Sequence, residues 1–263
     1  MNDDEIQLQV QEGIATLLLA NPGKLNALTG GHYERMRSLL AQVRKDRSIR
    51  ALMLTGQGRA FCAGADLDFL SKTQSEERSR GEIVSDLMWS TCNPLILELQ
   101  EMPIPVLAAL NGAVAGAGVG IALAADVVIA ARSAYFYLPF APKLGILPDL
   151  GSTWILPRIA GRARSLGMAM LGDKVAAEQA LHWGLIWACV DDPELPAESL
   201  AMAQRLAQLP RGMAAELRAA WRHSEANGLA GQLEYERQRQ AELLDGPAFK
   251  AGLDAFAAGR GRK

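Results

Sequence analysis

An apolar strand that runs directly into a glycine-rich apolar helix is the feature that most constrains the fold of this chain. Val106–Leu110 has the composition of a strand that is buried on both faces. Small residues fill the next segment, and an apolar run then continues as far as Asp126. Glycine is costly inside a helix, so several glycines at its start indicate a close approach to the backbone. A buried strand followed by a buried helix is typical of an α/β protein.

The start of this helix could also bind a ligand. The first N–H groups of a helix have no partner within it, and Gly116, Ala117 and Gly118 leave them accessible. They lie at the positive end of the helix dipole, where negative charge is stabilised. Tight packing against a neighbouring element explains the same small residues, and both interpretations stay open on this segment alone.

A second segment repeats the pattern. Ala51–Thr55 is predicted to be a strand, and Gly56–Asp68 follows it as a turn and a short helix. Within it, residues 61–67 form another small-residue loop with accessible backbone N–H groups. Two such loops after two strands could direct two amides at one carbonyl oxygen, which is the geometry of an oxyanion hole.

Five motifs, in constant order along nearly the whole chain, resemble the crotonase (enoyl-CoA hydratase/isomerase) superfamily. They are Lys24–Leu28, Phe61–Leu67, Asn111–Gly120, Leu144–Asp149 and Ala180–Leu185. The resemblance implies an α/β spiral of β-β-α turns with a helical C-terminal appendage. It also implies acyl-CoA thioesters as substrates, no separate cofactor because coenzyme A is part of the substrate, and homotrimers that often pair into hexamers.

The matched motifs assign site residues position by position. The backbone N–H groups of Ala65 and Ala117 are expected to form the oxyanion hole. Such a hole stabilises the enolate of a bound thioester and so makes its α-carbon acidic. The residues expected to bind the substrate belong to the same loops and to the first motif: Lys24, Leu25, Ala27, Ala63, Asp66, Leu67, Asp68, Gly116 and Gly118.

The carboxylates indicate which reaction follows. Hydratases of the superfamily carry two glutamates, which match Gly120 and Ala141 here, and neither residue has an acid to offer. Asp149 matches a position where isomerases of the superfamily use an aspartate to move a proton. Its alternative role is to cap the helix expected to begin near Leu150. A glutamate restored at position 120 is expected to return weak hydration if the pocket admits water.

These observations predict an acyl-CoA isomerase that uses Asp149, with two alternatives: an enoyl-CoA hydratase and a non-catalytic acyl-CoA binding protein. Three stretches, 126–134, 154–164 and 177–187, resemble the branch of the superfamily that isomerises ring-epoxide thioesters in phenylacetate degradation. The substrate is therefore expected to be an enoyl-CoA or a ring-epoxide CoA thioester.

Composition limits the remaining possibilities. The 263 residues carry a net charge of −2, which gives no reason to expect nucleic acid or a membrane as partner. Cys62, Cys92 and Cys189 lack disulfide or metal-ligand spacing, so no metal and a reduced, cytoplasmic location are expected.

The chain is predicted to divide into an acyl-CoA-binding core, residues 1–195, and a helical trimerisation region, residues 196–263. Within the core, Thr29 is expected to cap an amphipathic helix that reaches Lys45. The second region carries more apolar residues than a thin helical layer would bury alone: Leu200, Met202, Leu206, Leu217, Trp221, Leu229, Leu233, Phe249 and Phe256.

Overall fold

The computed structural model describes residues 3–260. The strands in this range are β1 Ile6–Gln11, β2 Ile14–Leu19, β3 Ala51–Gly56, β4 Ala60–Cys62, β5 Val106–Leu110, β6 Ala113–Ala115, β7 Val127–Ala131, β8 Tyr135–Tyr137, β9 Val175–Ala176 and β10 Ala188–Val190. The helices are α1 Gly30–Lys45, α2 Leu67–Lys72, α3 Arg80–Leu87, α4 Asn93–Gln100, α5 Ala117–Leu123, α6 Ser152–Ile159, α7 Arg162–Leu171, α8 Ala177–His182, α9 Leu195–Leu206, α10 Met213–Ala226, α11 Leu229–Leu244 and α12 Pro247–Arg260.

From β3 to β8, successive strands alternate between two sheets. One sheet has the order β1-β2-β3-β5-β7-β10 and the other has the order β4-β6-β8-β9 within the described residues. Strands β3, β5, β7 and β10 are parallel neighbours, and so are β4, β6 and β8. Each turn of the chain thus adds one strand to each sheet before a helical segment follows. This arrangement confirms the predicted α/β spiral of β-β-α turns.

The centre of the spiral is apolar, as the sequence predicts. Every residue of β5 and of α5 is buried, and so are the three residues of β4. Helix α1 begins after Thr29, the predicted N-cap, and turns Met36, Leu40 and Val43 into the same core. Burial of this continuous apolar surface is the main stabilising contribution to such a fold.

Two short π-helical turns occur in the described part of the chain. Residues Met88–Cys92 join α3 to α4, so the helical segment from Arg80 to Gln100 is continuous but wound more loosely in its middle. The second π turn, Phe140–Leu144, follows β8. Both turns contribute residues to the cavity described below, and such turns occur frequently at functional sites.

The chain divides into two compact units after Leu209, whereas the sequence placed the boundary after residue 195. Helix α9 accounts for the difference, since it packs on β3, β5 and β7 of the first unit. Its residues Leu195 and Ala203 are buried in a cluster with Leu107 and Ile129. An amphipathic pattern predicts that a helix has a buried face but does not identify the surface that covers it.

A buried asparagine holds the loop before α1 against strand β4. The Asn26 amide donates to the carbonyl oxygen of Ala60 at 2.8 Å, and its side-chain oxygen accepts from the N–H of Asn21 at 2.9 Å. Leu28 then exchanges backbone hydrogen bonds with Gly64 and Asp66, both at 2.8 Å. The loop that contains Ala65 is therefore fixed from outside the sheet.

We expect Asn26→Ala to lower the free energy of unfolding by about 3 kcal/mol, because it leaves several buried polar groups without partners. Chemical denaturation measures the change. The matched control is Asn93→Ala at an exposed helical position, which should shift stability by less than about 0.5 kcal/mol. Equal losses in the two variants would contradict the role given to Asn26.

Candidate active site

Two loops meet where β4 and β6 end. These strands are parallel neighbours, so the loop after β4 and the start of α5 leave the same edge of the sheet. A Cβ atom added at Gly64 would lie 2.9 Å from the carbonyl oxygen of Ala115 and 3.2 Å from the nitrogen of Ala117. Gly64 also has a φ of +93°, which favours glycine. The close approach of the two backbones thus requires glycine at this position.

The loops leave two amides unpaired. Within residues 3–260, the N–H groups of Ala65 and Ala117 donate no hydrogen bond to a backbone carbonyl. The adjacent amides do have partners, since Asp66 donates to Leu28 at 2.8 Å and Gly116 donates to Tyr137 at 3.0 Å. Two free donors on touching loops match what the stabilisation of an oxyanion requires.

Both alanines line a cavity of about 500 Å³. The cavity lies within the first unit, and its walls come from α1, from the helical segments at 67–70 and 84–92, and from the π turn after β8. Its other lining residues include apolar and aromatic side chains: Leu28, Tyr33, Phe69, Leu70, Val84, Leu87, Met88, Tyr135, Tyr137, Pro139, Phe140, Leu144, Ile146 and Leu150. Its size and apolar walls suit a small organic group.

Asp149 supplies a carboxylate to this cavity. Among the described residues that line it, Asp149 is the one with an acidic side chain. Burial raises the pKa of Asp149 to about 6, because the charged form loses hydration. Its Oδ1 atom is buried and has no hydrogen-bond partner. A carboxylate with such a pKa can accept and return a proton near neutral pH.

Asp149 opens a tight turn with an unusual backbone. The N–H of Ser152 donates to the carbonyl oxygen of Asp149 at 2.9 Å. Between them, Leu150 has a φ of +46° and Gly151 a φ of +78°, which is the pattern of a type I′ turn. Helix α6 begins at Ser152 with Gly151 as its N-cap and no side-chain capping bond. The alternative role of Asp149 as the cap of this helix is therefore wrong.

Two ionisable side chains beside Asp149 were not identified from the sequence. Burial raises the pKa of Tyr33 well above its usual value, and the nearby Cys62, Cys92 and Asp149 raise it further. Burial likewise raises the pKa of Cys92 to about 12. Both side chains are neutral at physiological pH, so they leave Asp149 without a charged partner. The helical pattern of α1 predicted that Tyr33 is buried but not that it lines a site.

Several predicted substrate-binding residues come together. Leu25, Ala63, Leu67 and Gly116 line the cavity, as Ala65 and Ala117 do. Nearby, Lys24 Nζ contacts the Asp66 carboxylate at 2.7 Å, and Asp66 also caps α2 by accepting from the N–H of Phe69. The ion pair raises the pKa of Lys24 and lowers that of Asp66. It connects the first motif to the loop that carries Ala65.

Five predicted substrate-binding residues are absent from the described lining of the cavity: Lys24 and Asp66, which form the ion pair, and Ala27, Asp68 and Gly118. Asp68 is exposed on α2, and Ala27 donates its N–H to Lys24. Gly118 is buried, and a Cβ there would lie 2.7 Å from the carbonyl oxygen of Cys62. Its glycine is explained by tight packing of α5, the plainer of the two interpretations of this helix.

The two positions matched to the hydratase glutamates have no acid. Ala141 is exposed in the π turn after β8. Gly120 is buried in α5, and a Cβ there would collide with the carbonyl oxygen of Leu150 and lie 2.7 Å from the Leu150 Cβ. A glutamate at 120 would therefore have to displace the backbone of the turn, and the expectation that it returns weak hydration stays a prediction.

Two further properties concern the described part of the chain as a whole. In it, no three or more His, Cys, Asp or Glu side chains are grouped so as to hold a metal ion. None of its helices combines the length and apolar character needed to cross a membrane.

The family model described as enoyl-CoA hydratase/isomerase matches residues 9–262. The chain is 41% identical over 254 residues to 1,2-epoxyphenylacetyl-CoA isomerase of Escherichia coli, covering 95% of this chain and 94% of that protein. It is 39% identical over 256 residues to a Rhodobacter capsulatus protein named "Probable enoyl-CoA hydratase", covering 97% and 96%. The crystal structure of an enoyl-CoA hydratase from a Polaromonas species matches with a TM-score of 0.89 at 29% identity, covering 97% of each chain.

The paired free amides match what an enzyme needs in order to hold a carbonyl oxygen as negative charge develops on it. The chain belongs to the enoyl-CoA hydratase/isomerase family, the crotonase superfamily indicated by its motifs. The structural similarity to an enoyl-CoA hydratase agrees with this assignment. An acyl-CoA thioester is the substrate that fits the family.

We expect Ala117→Pro to reduce turnover by about 100-fold, since it removes one donor from the paired amides. Ala117 is the first residue of α5, where proline is tolerated, so the fold should persist. Ala117→Gly keeps the N–H and should lose far less activity. Steady-state turnover of both variants, with circular dichroism to check folding, tests the assignment. Unchanged turnover in a folded proline variant would contradict it.

Proposed function

We propose that this enzyme is an isomerase that moves a proton, and with it a double bond, within an enoyl-CoA or ring-epoxide CoA thioester. The observation that carries the proposal is the half-buried Asp149, with its buried and unpartnered Oδ1 atom, in the cavity with the two free amides. The positions matched to the hydratase glutamates hold Gly120 and Ala141 instead. The 41% identical relative, a 1,2-epoxyphenylacetyl-CoA isomerase, supports the same class of reaction.

In the proposed reaction the thioester oxygen lies between the N–H groups of Ala65 and Ala117. The Asp149 carboxylate removes a proton from carbon, and the electron pair moves into the thioester to give an enolate whose oxygen the two amides stabilise. Protonated Asp149 then returns the proton to another carbon of the conjugated system, so the double bond has shifted and no water has been consumed. The apolar walls of the cavity exclude solvent during this transfer.

Hydration of an enoyl-CoA is the second candidate, because a 39% identical relative carries the name of a hydratase. It would require Asp149 alone to activate water and to deliver the proton. A non-catalytic acyl-CoA binding protein is the third, and it predicts thioester binding without exchange of carbon-bound protons. The lack of a separate cofactor and the cytoplasmic location expected from the sequence stay predictions.

Nuclear magnetic resonance of CoA thioesters in heavy water tests the proposal. We expect deuterium to enter the substrate and the double bond to move, and Asp149→Asn to slow both by about 100-fold or more while binding persists. Addition of water to crotonyl-CoA without isomerisation would favour the hydratase. Near-normal isomerisation by Asp149→Asn would exclude Asp149 as the base. Glu82 and Asp86 would not easily replace it, since Glu82 bonds Ser79 and Asp86 pairs with Arg78.

The raised pKa of Asp149 also predicts an effect on stability. Because the folded pKa of about 6 exceeds the ordinary value of 3.8, ionised Asp149 destabilises the folded state above pH 6. We expect Asp149→Asn to raise the free energy of unfolding by up to about 3 kcal/mol at pH 8. The gain should fade as the pH falls through 6 and vanish below about pH 4. Denaturation at several pH values measures this gain in the free energy of unfolding. A gain of the same size at every pH would contradict the burial of this carboxylate.

We further propose that the chain assembles as a homotrimer or hexamer through its C-terminal helices. Within the second unit, α10, α11 and α12 surround an apolar groove of about 570 Å³. The large apolar side chains that stay exposed on these helices are Leu217, Trp221, Leu229, Leu233, Leu244, Phe249, Leu253 and Phe256. Met202 and Leu206, which the sequence assigned to this contact, pack instead on the core of the first unit.

We expect sedimentation of the wild-type protein to give the mass of a trimer or hexamer. Trp221→Glu places a charge on the exposed apolar surface and should shift the protein toward monomer, because an unpaired charge is costly in an interface. Arg222→Glu, at the exposed neighbouring position, is the matched control. A wild-type monomer at dilution would contradict the proposed assembly.

A further inference from the structure

Helix α5 and the turn that carries Asp149 touch through a position without a side chain. A Cβ atom at Gly120 would collide with the carbonyl oxygen of Leu150, lie 2.7 Å from the Leu150 Cβ and lie 3.0 Å from its carbonyl carbon. Two of these three atoms belong to the backbone, so rotation of a side chain could not relieve the contact. The turn therefore rests directly on the backbone of α5.

The same turn is held in a conformation that leucine does not favour. A φ of +46° places the Cβ of Leu150 close to its own backbone, and glycine or asparagine occupies this region far more often. Such a conformation persists only where the surroundings determine it. Here Leu150 is buried in the core cluster, and the N–H of Ser152 closes the turn onto Asp149.

Helix α5 also carries one of the two free amides. Ala117 and Gly120 are three residues apart, so they lie on neighbouring positions of one face of the helix. Ala117 lines the cavity, and Gly120 contacts Leu150, the residue next to Asp149. One short helix thus sets the distance between the amide that would hold the enolate oxygen and the carboxylate that would move the proton.

We propose that Gly120 is a positioning residue: its missing side chain lets the 149–152 turn rest on α5 and holds the Asp149 carboxylate at its working distance from the Ala117 amide. The proposal rests on the proposed function, in which Asp149 moves the proton. It assigns a role in the reaction to a residue that does not itself line the described cavity.

The first test is the turnover of Gly120→Ala. The added methyl group forces the turn away from α5, and a displacement of about 1 Å in such a site typically costs about 100-fold in rate. We expect kcat to fall by that amount, while the KM for the thioester changes by less than about threefold because the loops that would bind CoA stay in place. Gly167→Ala is the matched control, since a Cβ there has open space around it in helix α7.

The second test measures the position of the carboxylate without using activity. Carbon-13 nuclear magnetic resonance of labelled aspartate should give wild-type Asp149 a pKa of about 6. In Gly120→Ala the pKa should fall toward the ordinary value as the turn moves toward solvent. The other ionisable groups of the described cavity lining are unchanged in this variant: Tyr33, Cys92, Tyr135, Tyr137 and Lys143. A fall in kcat with the Asp149 pKa still at about 6 would mean that α5 had moved instead, and would overturn the proposal.

A double variant covers the case in which Gly120→Ala does not fold. Leu150→Gly removes the second colliding atom and frees the turn to shift, so Gly120→Ala combined with Leu150→Gly should fold. We expect it to keep the low kcat and the lowered Asp149 pKa relative to Leu150→Gly alone. Turnover and pKa equal to those of Leu150→Gly would overturn the positioning role. Failure of the proposed function is recognised separately, since it would leave Asp149→Asn active.

Discussion

The site depends on one backbone contact, in which the loop after β4 touches the loop that starts α5. At Gly64 the two backbones approach so closely that a methyl group would not fit. Three parts of the chain fix this contact: the pairing of β4 with β6, the hydrogen bonds from Leu28 to the loop after β4, and the buried Asn26 behind them. The spacing of the free amides of Ala65 and Ala117 is thus set by sheet register and not by flexible side chains, as electrostatic preorganisation requires.

The Asp149 carboxylate, in the same cavity, affects the stability of the fold in the opposite way to these packed loops. Burial of Asp149 opposes its ionisation and raises its pKa to about 6, so the folded protein is less stable when the group is charged. The same desolvation makes the carboxylate a stronger base near neutral pH, where an ordinary aspartate would hold its charge too well to take a proton from carbon. Leu150 adds backbone strain at the next residue. Unfavourable burial and strain therefore occur together at the position where the proposed chemistry needs them.

Much of this arrangement could be predicted from the sequence, because the signals are local. The cost of glycine in a helix indicated the close backbone approach at α5, and Thr29 marked the start of α1. The neighbours of Asp149 could not be predicted, since a helical pattern shows that Tyr33 is buried without showing beside what. The left-handed backbone conformation of Leu150 could not be predicted either, because packing imposes this conformation against the preference of the residue. Helix α9 was assigned to the second unit for a similar reason, because an apolar helix face does not show which surface will cover it.

Gly120 shows why a missing catalytic residue is an incomplete guide to a reaction. By sequence, the position lacks the first hydratase glutamate, which suggests a simple loss of one acid. In the fold, the space beside it holds the carbonyl oxygen and Cβ of Leu150, the residue next to Asp149. A side chain at position 120 and the turn in its present position cannot occupy the same space. The segment that carries Asp149 therefore occupies the space that a side chain at 120 would need. Any variant with a side chain at 120 would therefore need the backbone at 149–152 to change with it.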